Sequence, residues 1–322
     1  MYVCKHLCES HIKASSMGNQ LSVHYNMKIF VAEIAVLAML VLGARLGSST
    51  LLTNNCGTTR HPSRIRRVVG GRDADRFGNP WMAMVLYDDK FCGGSLITRL
   101  FVLTSADCAS WRPKQVILGE YDTNCTSVDC TSIRQVMDID ERIIHDQFDL
   151  ENYKRNDIAL LRLAKKVSIS DYVRPICLFV DRQVGRGVQY FTATGWGATN
   201  QNERSTILQK VTLSRFNRKY CERIFKENMV ASLLCVGGPR KDTCDGDIGG
   251  PLSVKLRIDG EGKWNSKSRT FLIGMTSYGT YSCSGIGAYT NVEHHVDWIV
   301  QSINRSNELA SQTPKIAKDL IS

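Results

Sequence analysis

WMAMVLY, residues 81–87, is an unbroken apolar run of seven that stops at the acidic pair Asp88-Asp89. A run of that length is short for a helix and right for a buried strand. Outward from it the pattern recurs in SLITRLFVLTS at 95–105, QVILGEY at 115–121, IALLRL at 158–163, VQYFTATGWG at 188–197, FLIGMTSYG at 271–279 and GAYTNV at 287–292. Many of these stretches are bounded by Gly, Asp or Asn. Short strands punctuated by turn residues predict an all-β sandwich or barrel architecture. The exception lies over 292–303, where Val296, Ile299, Val300 and Ile303 share one face and predict a helix. Residues 304–322 are polar and are expected to be a flexible tail.

Composition permits a packed protein: of 322 residues, 43% are hydrophobic and 8% aromatic, which excludes disorder over most of the length. The formal charge of +10 raises nucleic acid and membrane surfaces as partners. Its distribution argues against both. Before Val68 eight Lys and Arg stand against two Asp and Glu, whereas the rest of the chain carries 33 against 29. So balanced a body offers no clustered basic groove, and neither nucleic acid nor a membrane is expected as a partner.

Near the N-terminus, Lys28 precedes an apolar run over 29–42 broken only by Glu33, and Gly43, Ala44, Gly47 and Ser48 follow. That order of charged, apolar and small residues predicts a secretory signal peptide over 27–47. The run is shorter than the roughly 20 apolar residues of a membrane span. Met27 is the expected start, with 1–26 an upstream extension whose Cys4, His6, Cys8 and His11 have metal-ligand chemistry but no apolar face to fold on. The other ten cysteines, 56, 92, 108, 125, 130, 177, 221, 235, 244 and 283, are even in number and lack C-x-x-C pairing. In an exported chain they read as disulfides, not as metal ligands. Residues 54–67, NNCGTTRHPSRIRR, read as an exposed linker ending a 48–67 pro-segment, with Arg60, Arg64, Arg66 and Arg67 open to a trypsin-like protease.

Several ordered motifs then converge. Arg67 is followed by Val68-Val69-Gly70-Gly71; FCGGSLI stands at 91–97, DIALLRL at 157–163, RPICL at 174–178, TGWG at 194–197, DTCDGDIGGPL at 242–252 and TSYG at 276–279. Together they resemble the trypsin-like (chymotrypsin-fold) serine protease family over about 56–303. The resemblance implies a protease-like domain over 68–303, made of two perpendicular six-stranded antiparallel β-barrels with the active-site cleft between them and a C-terminal helix. It also implies the pairings Cys56–Cys177, Cys92–Cys108, Cys221–Cys235 and Cys244–Cys283, which leaves Cys125–Cys130 to close a surface loop.

The chemistry of that family needs a hydroxyl nucleophile, an imidazole base and a carboxylate that orients the imidazole. Asp157 matches the carboxylate. Asp107, in Thr104-Ser105-Ala106-Asp107-Cys108, stands where the family has its histidine, and Ile248, in Gly246-Asp247-Ile248-Gly249-Gly250-Pro251, stands where it has its serine. Isoleucine has no heteroatom with which to form an acyl intermediate. A carboxylate beside Asp157 meets repulsion and is no base poised near neutrality. None of the seven histidines, including His145, His294 and His295, fits the vacancy by sequence.

Other parts of the machinery look intact. Asp242 matches the base of the pocket that holds a substrate Arg or Lys, and Gly279 and Gly287 match its walls, although Tyr278 replaces the family's usual Trp and the loop after Cys283 is short. Cleavage after Arg67 would free a Val68 ammonium to pair with Asp247, as in the family's zymogens. Asn124 and Asn304 begin sequons. Glu120 resembles the start of the family's calcium loop, but a lone acidic residue does not make a site for an ion wanting six or more oxygens; no metal and no cofactor are expected. The sequence therefore reads as a secreted, non-catalytic serine protease homologue of arthropod type. It is expected to bind extracellular proteins, proteases or their substrates, as cofactor, decoy or regulator of a proteolytic cascade, after activation by a trypsin-like protease at Arg67. The alternative is an active trypsin-like endopeptidase cutting after Arg or Lys.

Overall fold

In the computed structural model, which describes residues 51–60, 72–149, 155–180, 184–198, 204–238, 246–258, 267–280 and 285–319, the run at 81–87 becomes strand β2 (Met82–Tyr87). After β1 (Arg72–Asp73) and β2 the chain forms β3 (Lys90–Leu96), β4 (Phe101–Thr104), β5 (Gln115–Leu118), β6 (Gln135–Ile144) and β7 (Ala159–Leu163). The hairpin from β2 to β3 turns at Asp88, whose φ of 44° suits the tight turn, and pairs Tyr87 with Lys90. Strands β2, β3, β4, β7, β6 and β5 close in that order into an antiparallel barrel. Its interior holds Val85, Leu96, Leu103, Leu118 and Leu161, none of them accessible to solvent.

The second half contributes β8 (Tyr190–Gly195), β9 (Gln209–Arg215), β10 (Leu233–Gly237), β11 (Pro251–Ile258), β12 (Lys267–Gly279) and β13 (Ile286–Asn291). These run in the order β9, β10, β13, β12, β11, β8, and a β8–β9 pairing closes the ring, with β1 added outside β9. Phe191, Leu213, Val236, Leu252, Phe271 and Tyr289 fill its core. Among the described residues the architecture is therefore two six-stranded antiparallel barrels with short helices α1 (Ala106–Ser110), α2 (Val128–Thr131) and α3 (Arg218–Phe225), and a long α4 (Val296–Asp319).

Two expectations change. The helix begins at Val296 after a 3-10 turn over Val292–His295 and continues to Asp319, so the stretch expected as a loose tail is helical through 304–319. Its polar sequence conceals the contact that holds it: Ser306 is 2% exposed and its hydroxyl donates to the Glu141 carboxylate at 2.5 Å, on the face that carries Ile299 and Ile303 into the first barrel's core. The pro-segment keeps Asn54, Asn55 and Arg60 exposed where it is described, but it is docked on the second half of the chain as well. Leu52 N–H donates to Leu178 at 2.9 Å, Gly57 N–H to Pro175 at 2.8 Å, and Cys56 is fully buried. The Cys56–Cys177 disulfide fixes that docking. Residues 1–50 and 61–71 lie outside the described residues, and with them the expected extension, signal peptide and cleavage junction.

Candidate functional site

The site is assembled where the barrels meet. Ser105 caps α1, its hydroxyl accepting the Cys108 N–H at 3.1 Å, and the Cys92–Cys108 disulfide ties that helix to β3. The first turn of a helix leaves backbone N–H groups without intrahelical partners. One of these, on Asp107, donates to Asp157 Oδ1 at 3.0 Å. From the second barrel the Ser277 hydroxyl donates to Asp157 Oδ2 at 2.5 Å, and Thr290 donates to the Asp157 carbonyl at 2.8 Å. Asp157, 1% exposed, is thus a polar rivet between the two barrels.

Burial governs its charge. Desolvation pushes the Asp157 carboxyl up to about 6; the Ser277 and Asp107 donors oppose that rise and the Asp107 charge adds to it. Burial raises the Asp107 carboxyl as well. Tyr278 lies near enough that burial, then the Asp157 charge, push its phenol up to about 12. Two neighbouring carboxyls, each held above the ordinary range, thus meet at the junction of the barrels.

The loop carrying Ile248 is locked by backbone geometry. The Ile248 carbonyl accepts the Gly93 N–H at 2.8 Å, and Gly249 N–H donates to Thr276 at 2.8 Å. Gly249 has a φ of 79°, and a Cβ there would run into Gly93 and Thr104, so only glycine serves. Before it, the half-buried Asp247 accepts the Gly197 N–H at 2.8 Å, and its carboxylate occupies the space that a Cβ on Gly195 or Gly197 would need. The backbone around Ile248 is thus fixed by its glycines and by Asp247.

The other expected residues are distributed as follows. Gly279, exposed, and Gly287, buried, are paired across β12 and β13. Asp242, Arg67, Val68 and the Cys244–Cys283 pairing lie outside the described residues. The remaining four pairings are the disulfides of the structure: Cys56–Cys177, Cys92–Cys108, Cys125–Cys130 and Cys221–Cys235. Asn124 and Asn304 are both exposed, but the Asn304 sequon is helical and its Ser306 hydroxyl is engaged by Glu141.

Two features escaped the sequence reading. Glu120 faces Arg134: Arg134 Nε lies 2.7 Å from Glu120 Oε2, and the same guanidinium donates to the carbonyls of Asp122 at 3.0 Å and Cys125 at 2.8 Å. Oxygens that a calcium loop would turn on a cation here converge on an internal one. Secondly, His145 and His295, remote in sequence, have ring centroids 5.3 Å apart, with His294 5.1 Å from His295 and Trp298 5.1 Å from His145. This cluster gathers at the start of α4.

Two closed barrels meeting at a buried aspartate, beside a Gly-Asp-X-Gly-Gly loop, define the architecture of a chymotrypsin-fold serine protease. A family model, Trypsin, matches residues 68–299. The chain belongs to that family. It is 34% identical to the CLIP domain-containing serine protease B15 of Anopheles gambiae over 72% of this chain and 68% of that protein. It is also 34% identical to the Spaetzle-processing enzyme of Drosophila melanogaster over 74% of this chain and 66% of that one. Among solved structures, the Drosophila Grass clip serine protease of the Toll pathway superposes with a TM-score of 0.66 at 28% identity, over 78% of this chain and 75% of its own.

Proposed function

We propose that this chain is a secreted, non-catalytic member of the insect CLIP-type serine proteases that acts by binding protein partners in an extracellular proteolytic cascade. One observation carries the reading: the reacting centre presents the alkyl side chain of Ile248 opposite a pair of carboxyls, Asp107 and Asp157, each with its pKa raised. Ile248 offers no atom that can form an acyl bond, and Asp157 is buried with one oxygen taken by the Asp107 N–H and the other by the Ser277 hydroxyl, so it is not presented to a substrate. Loss of the nucleophile or the base alone costs on the order of a millionfold in turnover in another serine protease. The protein partners are suggested by relatives whose names describe protein processing, such as the Spaetzle-processing enzyme.

The retained frame supports a role for activation. Asp247 rests on Gly195 and Gly197 as a preformed acceptor, so cleavage after Arg67 would let the Val68 ammonium pair with it and change the binding surface without producing an enzyme. The test is chemical. The chain cut after Arg67 is incubated with a fluorophosphonate probe and an Arg-containing chromogenic peptide, alongside Ile248→Ser, Asp107→His and the double variant. Neither the native chain nor a single variant is expected to turn over substrate, while the double variant gains measurable activity. Labelling or turnover by the native chain that Ile248→Ala abolishes would overturn the proposal.

A further inference from the structure

We propose that the cavity running from Ile248 to the β2–β3 hairpin is a docking site for an extended segment of a partner protein that carries acidic side chains around an apolar one. This rests on the non-catalytic reading above and names what the vacated cleft selects.

The cavity has a volume of about 560 Å³, within the range of built ligand sites. Gly246 and Ile248 belong to its lining, so the position that would present a hydroxyl in a protease presents four carbons instead. One wall is an aromatic pair, Tyr87 and Trp111, with ring centroids 4.6 Å apart and Trp111 39% exposed. Such rings, fixed by each other and open on one side, anchor an incoming apolar side chain at little conformational cost.

Two cations line the same cavity. Lys90 projects from the first position of β3 and is exposed. The Arg204 guanidinium carbon lies 5.0 Å from the centroid of the Phe91 ring, a stacking that holds the group in place and leaves its edge N–H donors free. Neither is ion-paired with a carboxylate among the described residues. Against them the lining sets one carboxylate, the exposed Asp88. Asp107 is not part of the lining.

Charge also decides which occupant fits. The chain's own segment 54–67 carries Arg60, Arg64, Arg66 and Arg67 and no acidic residue, so it is repelled by Lys90 and Arg204. An acidic segment of another protein is attracted, bidentate carboxylate pairing with Arg204 fixes its register, and an apolar residue between the acids meets Ile248 and Trp111.

The full chain, intact and cut after Arg67, is titrated by fluorescence polarisation with labelled Gly-Glu-Leu-Glu-Gly peptide, its Lys counterpart and its Gln counterpart. The acidic peptide is expected to bind at least tenfold more tightly than either, with affinity falling as salt rises from low to high concentration. Lys90→Glu with Arg204→Glu is expected to abolish that preference, and Trp111→Ala to weaken acidic and neutral peptides alike. Both charge reversals are at exposed positions, so unfolding curves that match the native chain show the fold is kept. Equal binding of the three peptides, no binding of the acidic one, or an unchanged preference after charge reversal would overturn the proposal. Fluorophosphonate labelling judges the non-catalytic reading independently: a chain that neither labels nor binds the acidic peptide fails this inference alone.

Discussion

His295 is a buried base with no acid to answer it among the described residues. Its residue is 4% exposed, and its Nε2 has no hydrogen-bond partner among them. The groups facing it are His145 from the turn after β6, with Asp146 beside that ring, and His294 from its own 3-10 turn. Burial first, then the His294 and His145 charges, push its pKa down to about 3 from an ordinary 6.5. The sign follows: the unfolded chain binds the proton more readily, so this group's effect on stability is harmless above pH 6.5 and grows more adverse as pH falls towards 3. Between pH 7 and pH 5 it removes about 2 kcal/mol of stability. Asp157 works in the opposite direction over that interval, by about 1 kcal/mol, because its raised pKa favours the folded state at the acid end. The native chain alone therefore gives a muted profile. The informative quantity is the difference between native protein and His295→Phe, in which the Asp157 contribution cancels, measured by urea unfolding at pH 7, 6 and 5. The variant is expected to gain about 2 kcal/mol relative to the native chain on going from pH 7 to 5. Parallel stability curves would refute the reasoning, since they would mean that His295 is solvated or paired.

Three further outcomes follow from the packing. Arg134→Met leaves the Glu120 carboxylate, 8% exposed, without its cation and should cost about 2 kcal/mol in urea unfolding. The same internal cation predicts that adding calcium leaves the thermal midpoint of the native chain unchanged; a rise of several degrees would show that a calcium ion can compete for that loop. Ile299→Ala removes a side chain with no exposure from the first barrel's core and should cost about 3 kcal/mol, read as a lower urea midpoint.

The sequence made the barrels readable where strands are apolar but for one residue at most, as in β2, β4 and β7. It hid β6, whose ten residues include Asp138, Asp140, Glu141 and Arg142, because only Met137 of that strand is fully buried. It hid the second half of α4 for a similar reason: a serine makes the buried contact, and serine has no periodic apolar signature. Asp107 and Ile248 were legible as departures from a motif because each motif is contiguous. The histidine cluster and the Arg134 to Glu120 pair were not, since each is made by folding and not by spacing. Nothing in the order of residues 145 and 295 says that their rings will touch.

If the site has no chemical task, a carboxylate buried there is a burden. A carboxyl raised from 3.8 to about 6 by burial disfavours the folded state by about 3 kcal/mol above pH 6, and by nothing below pH 3.8. Asp157→Asn removes the charge but keeps an oxygen for the Asp107 N–H, and the Ser277 hydroxyl can rotate to accept from the new amide. Some geometry is lost in the exchange. The variant should therefore be more stable than the native chain by about 1 to 2 kcal/mol at pH 8, with no gain at pH 4. Thermal unfolding at the two pH values decides it. A variant that loses more stability at pH 8 than at pH 4 would show that the fold stabilises the ionised carboxylate, and would refute the reasoning.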